Sequence, residues 1–61
     1  MQNIYILTRA CDLITENHST IEAANNSSDR WEADGHEVYK DRLSAFLEYD
    51  RERRRNATIN V

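Results

Sequence analysis

The sequence predicts an all-α protein, a two-helix antiparallel hairpin that dimerises into a four-helix bundle. The 61 residues include no proline and a single glycine, and two long segments carry apolar side chains at helical spacing. Because glycine and proline are the residues that most often interrupt regular elements, a chain almost free of both favours long helices. A chain of this length buries only about 60% of the surface of its unfolded form, which favours a second subunit.

The first helix is predicted over residues 3–24, with Asn3 as its N-cap. Six residues recur at alternating spacings of three and four, which is one helix face in heptad phase. This predicted seam of core and dimer residues consists of Ile4, Leu7, Cys11, Ile14, His18 and Ile21. The segment NNSSD at 25–29 is predicted as the turn, since Asn and Ser favour caps and turns.

The second helix is predicted over residues 28–55, with its apolar side chains spread over roughly 200° of its circumference. Its members of the predicted seam are Val38, Tyr39, Leu43 and Phe46. Gly35 costs such a helix about 1 kcal/mol relative to alanine. In the alternative, Asp34 and Gly35 end a short helix and another begins at residue 36. Residues 56–61 lack periodicity and are predicted to fray, so that 1–61 forms one domain with a frayed tail.

Self-association is expected because each apolar arc is wider than one neighbouring helix can cover. Two hairpins packed face to face would cover both arcs, and closed two-fold pairs are the commonest homo-oligomers. The predicted partner is therefore a second copy of the chain. A higher oligomer and a complex with a different protein remain alternatives.

Composition argues against several environments and partners. The net charge is −3 with 31% charged residues, which gives no general attraction to nucleic acid or anionic membranes. The longest apolar run has only four residues, from Ile4 to Leu7, far too few to span a bilayer. Cys11 is the only cysteine, so no internal disulfide can form, and a cytoplasmic location is expected.

Four arginines near the C-terminus raise the question of nucleic-acid contact, namely Arg51, Arg53, Arg54 and Arg55. Residues 48–55 nevertheless carry a net charge of only +1. Three carboxylates stand at helical pair spacing from three of these arginines: Glu48 from Arg51, Asp50 from Arg54 and Glu52 from Arg55. A helix end that satisfies its own charges is therefore favoured over a nucleic-acid site.

The candidate residues for binding a protein partner lie in the predicted second helix. They are Trp31, an aromatic beside acidic residues, and three members of an acidic stripe, Asp34, Glu37 and Asp41. The stripe could instead be a solvated helix face, and Trp31 could instead anchor the core or the dimer interface. Carboxylates in this arrangement could also stand in for phosphates towards a nucleic-acid-binding protein.

Catalysis, metals and cofactors are not predicted. Cys11, His18 and His36 are the only soft metal ligands, and zinc requires three or four that converge. A nucleophilic cysteine would need a base and a pocket that excludes water, and a chain of 61 residues has little room for such a pocket.

The predicted function is that of a small non-enzymatic interaction module, a homodimeric helical adaptor or regulator in the cytoplasm. Its size and composition are typical of bacterial or phage accessory proteins. One alternative is a nucleic-acid-binding regulator that uses the helix end at 51–55. The other is an acidic decoy for a nucleic-acid-binding protein.

Overall fold

A computed structural model of the chain describes residues 1–59 and has an α+β fold. Its elements are the strands β1 (Gln2–Leu7) and β2 (Leu13–His18), helix α1 (Ile21–Ala33), strand β3 (Glu37–Tyr39) and helix α2 (Arg42–Ile59). The strands form one antiparallel sheet in the order β2-β1-β3. The predicted all-α hairpin is wrong, and with it the four-helix bundle.

Most of the segment predicted as the first helix, residues 3–18 of 3–24, lies in a β-hairpin, and only its last residues belong to α1. Ile4, Tyr5 and Ile6 are β-branched or aromatic residues, which suit a pleated sheet better than a helix. In the hairpin Ile6 lies opposite Ile14 and Leu7 opposite Leu13. The spacings of three and four in the sequence therefore come from two strands, their turn and, at Ile21, the first residue of α1.

The hairpin turn spans residues 8–12. The Thr8 backbone N–H donates to the Asp12 carbonyl at 2.8 Å, and the Cys11 N–H donates to the Thr8 carbonyl at 2.9 Å. The Asp12 N–H donates to the Thr8 hydroxyl at 2.9 Å. Cys11 has φ 65°, a left-handed conformation that ends many three-residue hairpin loops and is ordinarily taken by glycine.

Helix α1 contains the segment that was predicted as the turn. It begins after Thr20, whose hydroxyl accepts the Ala23 N–H at 3.1 Å as an N-cap. Ser27 and Ser28 lie inside the helix and are buried. Their hydroxyls donate to Glu16 and to the Ala24 carbonyl. These small side chains let α1 approach the sheet closely while their polar groups stay satisfied.

Gly35 ends α1 with φ +90°. The Gly35 N–H donates to the Glu32 carbonyl at 2.9 Å, and the His36 N–H donates to the Trp31 carbonyl at 3.1 Å. These two bonds form a Schellman motif. The edge-to-face contact of Trp31 and His36, with ring centroids 5.5 Å apart, supplies the apolar contact that accompanies such a motif. The helix predicted over 28–55 is thus interrupted at Gly35, and the strand β3 follows it.

The sheet has a helix on each face. Side chains alternate along a strand, so that Ile4 and Ile6 point to one face and Tyr5 and Leu7 to the other. Ile4, Ile6 and Ala24 are buried together on the α1 side, with Ile14, Trp31 and Val38 packed against them. On the other face α2 packs on β1 and β3, where Leu7 and Ala45 are buried.

The predicted seam is therefore distributed over the whole fold. Ile4 and Leu7 lie on opposite faces of β1, as Val38 and Tyr39 do on β3. The other members are Cys11 in the turn, Ile14 and His18 in β2, Ile21 exposed in α1, and Leu43 and Phe46 exposed in α2. Of the ten residues, Ile4, Ile14 and Val38 meet in the core; they do so through strand pairing.

Helix α2 is long for such a small sheet. Its 18 residues extend about 27 Å, compared with about 20 Å for a six-residue strand. The radius of gyration is 12.6 Å, whereas a compact chain of this length has about 10.5 Å. Part of α2 therefore projects beyond the sheet.

The predicted single domain and frayed tail over 56–61 stay predictions, since α2 is described to Ile59 and residues 60 and 61 lie outside the described residues.

Candidate interaction surface on helix α2

Asp41 is the N-cap of helix α2. It is one of the residues predicted from the sequence to bind a protein partner. The Asp41 carboxylate accepts the Ser44 backbone N–H at 3.0 Å and the Ser44 hydroxyl at 2.9 Å. These bonds, the backbone one foremost, lower the pKa of Asp41 below its usual value. Asp41 is therefore engaged in starting the helix.

The side of α2 that faces the sheet is largely polar. Ala45 is fully buried there, followed at helical spacing by the half-buried Glu48, Tyr49 and Glu52. The Tyr39 hydroxyl of β3 donates to the Glu37 carboxylate at 2.5 Å. Burial, this bond and the negative charges of Glu37, Glu48 and Glu52 raise the pKa of Tyr39 to about 12.

The opposite side of α2, turned to solvent, is apolar in its first half. Leu43, Phe46 and Leu47 are 67%, 44% and 59% exposed, and they recur at the spacing of one helix face. The Arg42 guanidinium lies 5.2 Å from the centre of the Phe46 ring, in a cation–π contact. We call this surface the outward face of α2, defined by Arg42, Leu43, Phe46, Leu47 and Asp50.

This arrangement reverses the usual orientation of a surface helix. An amphipathic helix normally turns its apolar stripe to the core and its charged residues to water. Here Glu48 and Glu52 face the sheet while two leucines and a phenylalanine face solvent. The outward face is thus an apolar patch that nothing within the described residues covers.

Three arginines in the C-terminal half of α2 form the ion pairs predicted from the sequence. Arg51 contacts Glu48 at 2.6 Å, Arg54 contacts Asp50 at 3.0 Å, and Arg55 contacts Glu52 at 3.3 Å. Exposed pairs of this kind contribute only about 0.2–1 kcal/mol each.

Arg53 has a different contact. Its guanidinium lies 5.6 Å from the centre of the Tyr49 ring. Each of the four predicted nucleic-acid residues therefore has a partner on its own helix.

The four predicted partner-binding residues do not form one stripe. Trp31 is in α1, Asp34 is the C-cap of α1, Glu37 is in β3, and Asp41 caps α2. The stripe required one continuous helix from 28 to 55, which the chain does not form. Trp31 is half-buried against the core, and its indole N–H donates to Glu16.

Glu16 is a polar centre that no sequence pattern singled out. Its Oε1 accepts the Ser27 hydroxyl at 2.5 Å and lies 2.9 Å from His18 Nε2, while its Oε2 accepts the Trp31 indole N–H at 3.1 Å. These contacts, the Ser27 bond foremost, lower the pKa of Glu16 below its usual value of 4.5. Glu16 thereby joins β2 to α1.

The cysteine and the two histidines have separate contacts in the fold. Cys11 is half-buried in the turn, and His18 lies at the far end of β2, bound to Glu16. His36 Nδ1 accepts the Arg9 backbone N–H at 3.0 Å. Among residues 1–59, no three His, Cys, Asp or Glu side chains converge in a way that could hold a metal ion.

Neither described helix combines the length and apolar character needed to cross a membrane.

Comparisons of the chain with protein families, with curated proteins and with solved structures found no match.

Proposed function

We propose that the protein is a non-enzymatic interaction module, an adaptor or regulator that binds another polypeptide through the outward face of α2. The observation that carries the proposal is the exposure of Leu43, Phe46 and Leu47 on one side of a helix whose opposite side is already packed. Apolar patches that are left open to water in this way are typical of protein–protein contacts.

The composition of the outward face fits such a contact. Aromatic residues and arginine are enriched at the centres of interfaces, and here Phe46 and Arg42 are stacked on one another. Asp50 and Arg51 lie beside Leu47 and supply a polar rim on that side. A partner would bury the leucines and leave the charged groups at the solvated edge.

Two observations favour this function over the alternatives. His36 Nδ1 accepts from the Arg9 backbone N–H and the His18 ring contacts Glu16, so both histidines already have structural partners. Arg51, Arg54 and Arg55 pair with carboxylates of their own helix. This pairing weakens the attraction of these arginines for phosphate. A cytoplasmic location is part of the proposal, supported by the free thiol of Cys11.

Site-specific photo-crosslinking tests the proposal in cells that express the protein naturally. A photoreactive phenylalanine analogue replaces Leu47 in one variant and Ile21 in the other. The two positions are almost equally exposed, at 59% and 61%, and Ile21 lies on α1, away from the outward face. We expect covalent adducts with polypeptides from position 47 and few from position 21.

The proposal fails if position 47 yields no adduct, or if the two positions yield adducts in equal amounts. Adding Leu43→Gln to the position-47 variant provides a further check. It removes part of the apolar surface but keeps a good helix former, and it should reduce the adducts.

A further inference from the structure

The outward face of α2 carries opposite charges placed symmetrically about its apolar centre. Arg42 precedes Phe46 by four residues, and Asp50 follows it by four. Each is therefore about one helical turn from Phe46 and on the same side of the helix. Both side chains are exposed.

We infer that the partner of this face is a second copy of the chain, with the two α2 helices packed antiparallel about a two-fold axis close to Phe46. In a two-fold contact, each residue of one copy meets its counterpart in the other reciprocally. An axis near Phe46 places the two phenylalanines side by side and brings Leu43 of each copy near Leu47 of the other. The six apolar side chains then cover each other.

The charges select the antiparallel direction. With the axis near Phe46, Arg42 of each copy lies opposite Asp50 of the other, so the dimer contains two complementary pairs. A parallel pairing would instead place arginine against arginine and aspartate against aspartate, which is unfavourable. The present contact of Asp50 with Arg54 is an exposed one, and it can be exchanged for a contact with Arg42 of the other copy at little cost.

The size of the surface predicts a weak dimer. Three apolar side chains and one charge pair per copy are fewer than the twenty or more residues that each side of a standard interface contributes, and small interfaces are typical of reversible association. We therefore expect monomer and dimer to exchange, with the dimer prominent at roughly 100 μM protein. This inference rests on the proposed function, because it names the polypeptide that the outward face binds.

Sedimentation analysis of the purified protein over a range of concentrations tests the inference. The wild type should show a weight-average mass that rises from monomer towards dimer. Leu43→Gln/Leu47→Gln should remain monomeric at the same concentrations. Ile21→Gln is the matched control, since it changes an equally exposed apolar residue outside the outward face, and it should associate as the wild type does.

Charge exchange tests the antiparallel register. Asp50→Arg places two arginines opposite each other in its own dimer, and Arg42→Glu places two carboxylates opposite each other. Each variant alone should dimerise about tenfold more weakly than the wild type. An equimolar mixture should recover association. In the mixed dimer the introduced arginine lies opposite the introduced glutamate, and the retained Arg42 of one copy lies opposite the retained Asp50 of the other.

A monomeric wild type at roughly 100 μM, or association that persists in Leu43→Gln/Leu47→Gln, would overturn the inference. Failure of the mixture to associate better than either variant would overturn the antiparallel register. Circular dichroism of every variant establishes that it is folded. If the wild type is monomeric while the cellular crosslinks at position 47 join it to a different protein, the dimer is refuted and the proposed function stands.

Discussion

Replacing Glu16 by glutamine should lower the stability of the fold more than any other exchange of one acidic residue for its amide. The two carboxylate oxygens of Glu16 serve Ser27, His18 and Trp31 at once. Glutamine offers one acceptor oxygen, and its amide group can only donate. If the oxygen stays with Ser27, the Trp31 indole N–H faces another donor and loses its acceptor.

The magnitude follows from the hydrogen bonds that are weakened. A bond to a charged group contributes about 1.5–3 kcal/mol when it is shielded from water. The Glu16 side chain is 30% exposed, so that water compensates for part of the loss. We therefore expect the free energy of unfolding to fall by about 1–2 kcal/mol. In a domain of this size, each kcal/mol lowers the melting temperature by about 4–8 °C.

The pH dependence provides a second measure of the same interaction. The pKa of Glu16 in the folded protein is lower than its usual value of 4.5, so ionised Glu16 stabilises the fold fully above that pH. The contribution is lost as the pH falls through the lowered pKa of the folded state. The difference in stability between wild type and Glu16→Gln should therefore shrink as the pH is taken from neutral to below 4.5.

Urea and thermal unfolding followed by circular dichroism measure these differences. Glu32→Gln is the matched control, because Glu32 is an exposed glutamate of α1 near the helix end where a negative charge is not favoured. It should leave the stability within about 0.5 kcal/mol of the wild type. Equal stabilities of Glu16→Gln and Glu32→Gln at neutral pH would refute the role of Glu16 in joining β2 to α1.

Three further predictions concern the turn, the end of α1 and the α2 side of the sheet. Gly35→Ala should lower the free energy of unfolding by about 1–2 kcal/mol, because φ is +90° there; the added Cβ would also lie 2.7 Å from Nη1 of Arg9, a flexible side chain that can move away. An unchanged urea midpoint would contradict this. Cys11→Gly should raise the unfolding free energy by up to about 1 kcal/mol, because glycine adopts the left-handed conformation of residue 11 without strain. Cys11→Val should lower the unfolding free energy. The reverse order of stabilities would be inconsistent with the turn described. In a spectroscopic titration, the Tyr39 phenol should ionise with a pKa of about 12, and Tyr39→Phe should remove that step; a curve unchanged by Tyr39→Phe would show that Tyr39 is not the group concerned.

The sequence misled the prediction of the fold at one point above all. Ile4, Leu7, Cys11 and Ile14 match a helical heptad, yet the same residues fit two strands in which Ile4 and Ile6 share a face. Spacing alone does not separate these patterns when a short turn joins short strands. The β-branched and aromatic character of residues 4–6 was the available signal for a strand.

The second source of error was the treatment of Asn and Ser as turn residues. Ser27 and Ser28 lie within α1, where their hydroxyls are bonded to Glu16 and to the Ala24 carbonyl. Tertiary contacts of this kind outweigh intrinsic propensity and cannot be read from one sequence. Gly35 does end a helix, as the alternative to a continuous helix expected. The second helix that this alternative placed from residue 36 is wrong, because β3 comes first and α2 begins at Arg42.

The candidate site was partly accessible from the sequence. The ion pairs of Arg51, Arg54 and Arg55 depend only on helical spacing, and all three were predicted correctly. Leu43 and Phe46 were selected as members of an apolar face, but their exposure depends on which side of α2 meets the sheet. The residue of α2 that is fully buried is Ala45, and the sequence pattern did not indicate that this small side chain would face the sheet.

A dilution series followed by amide chemical shifts tests most directly whether the outward face of α2 binds a second copy of the chain. We expect concentration-dependent shifts confined to the outward face, with the largest changes at Leu43, Phe46 and Leu47. Residues of α1 and β2 should not change. Shifts that centre on the β2 edge, or a spectrum of folded protein that does not depend on concentration up to roughly 100 μM, would contradict the proposed dimer.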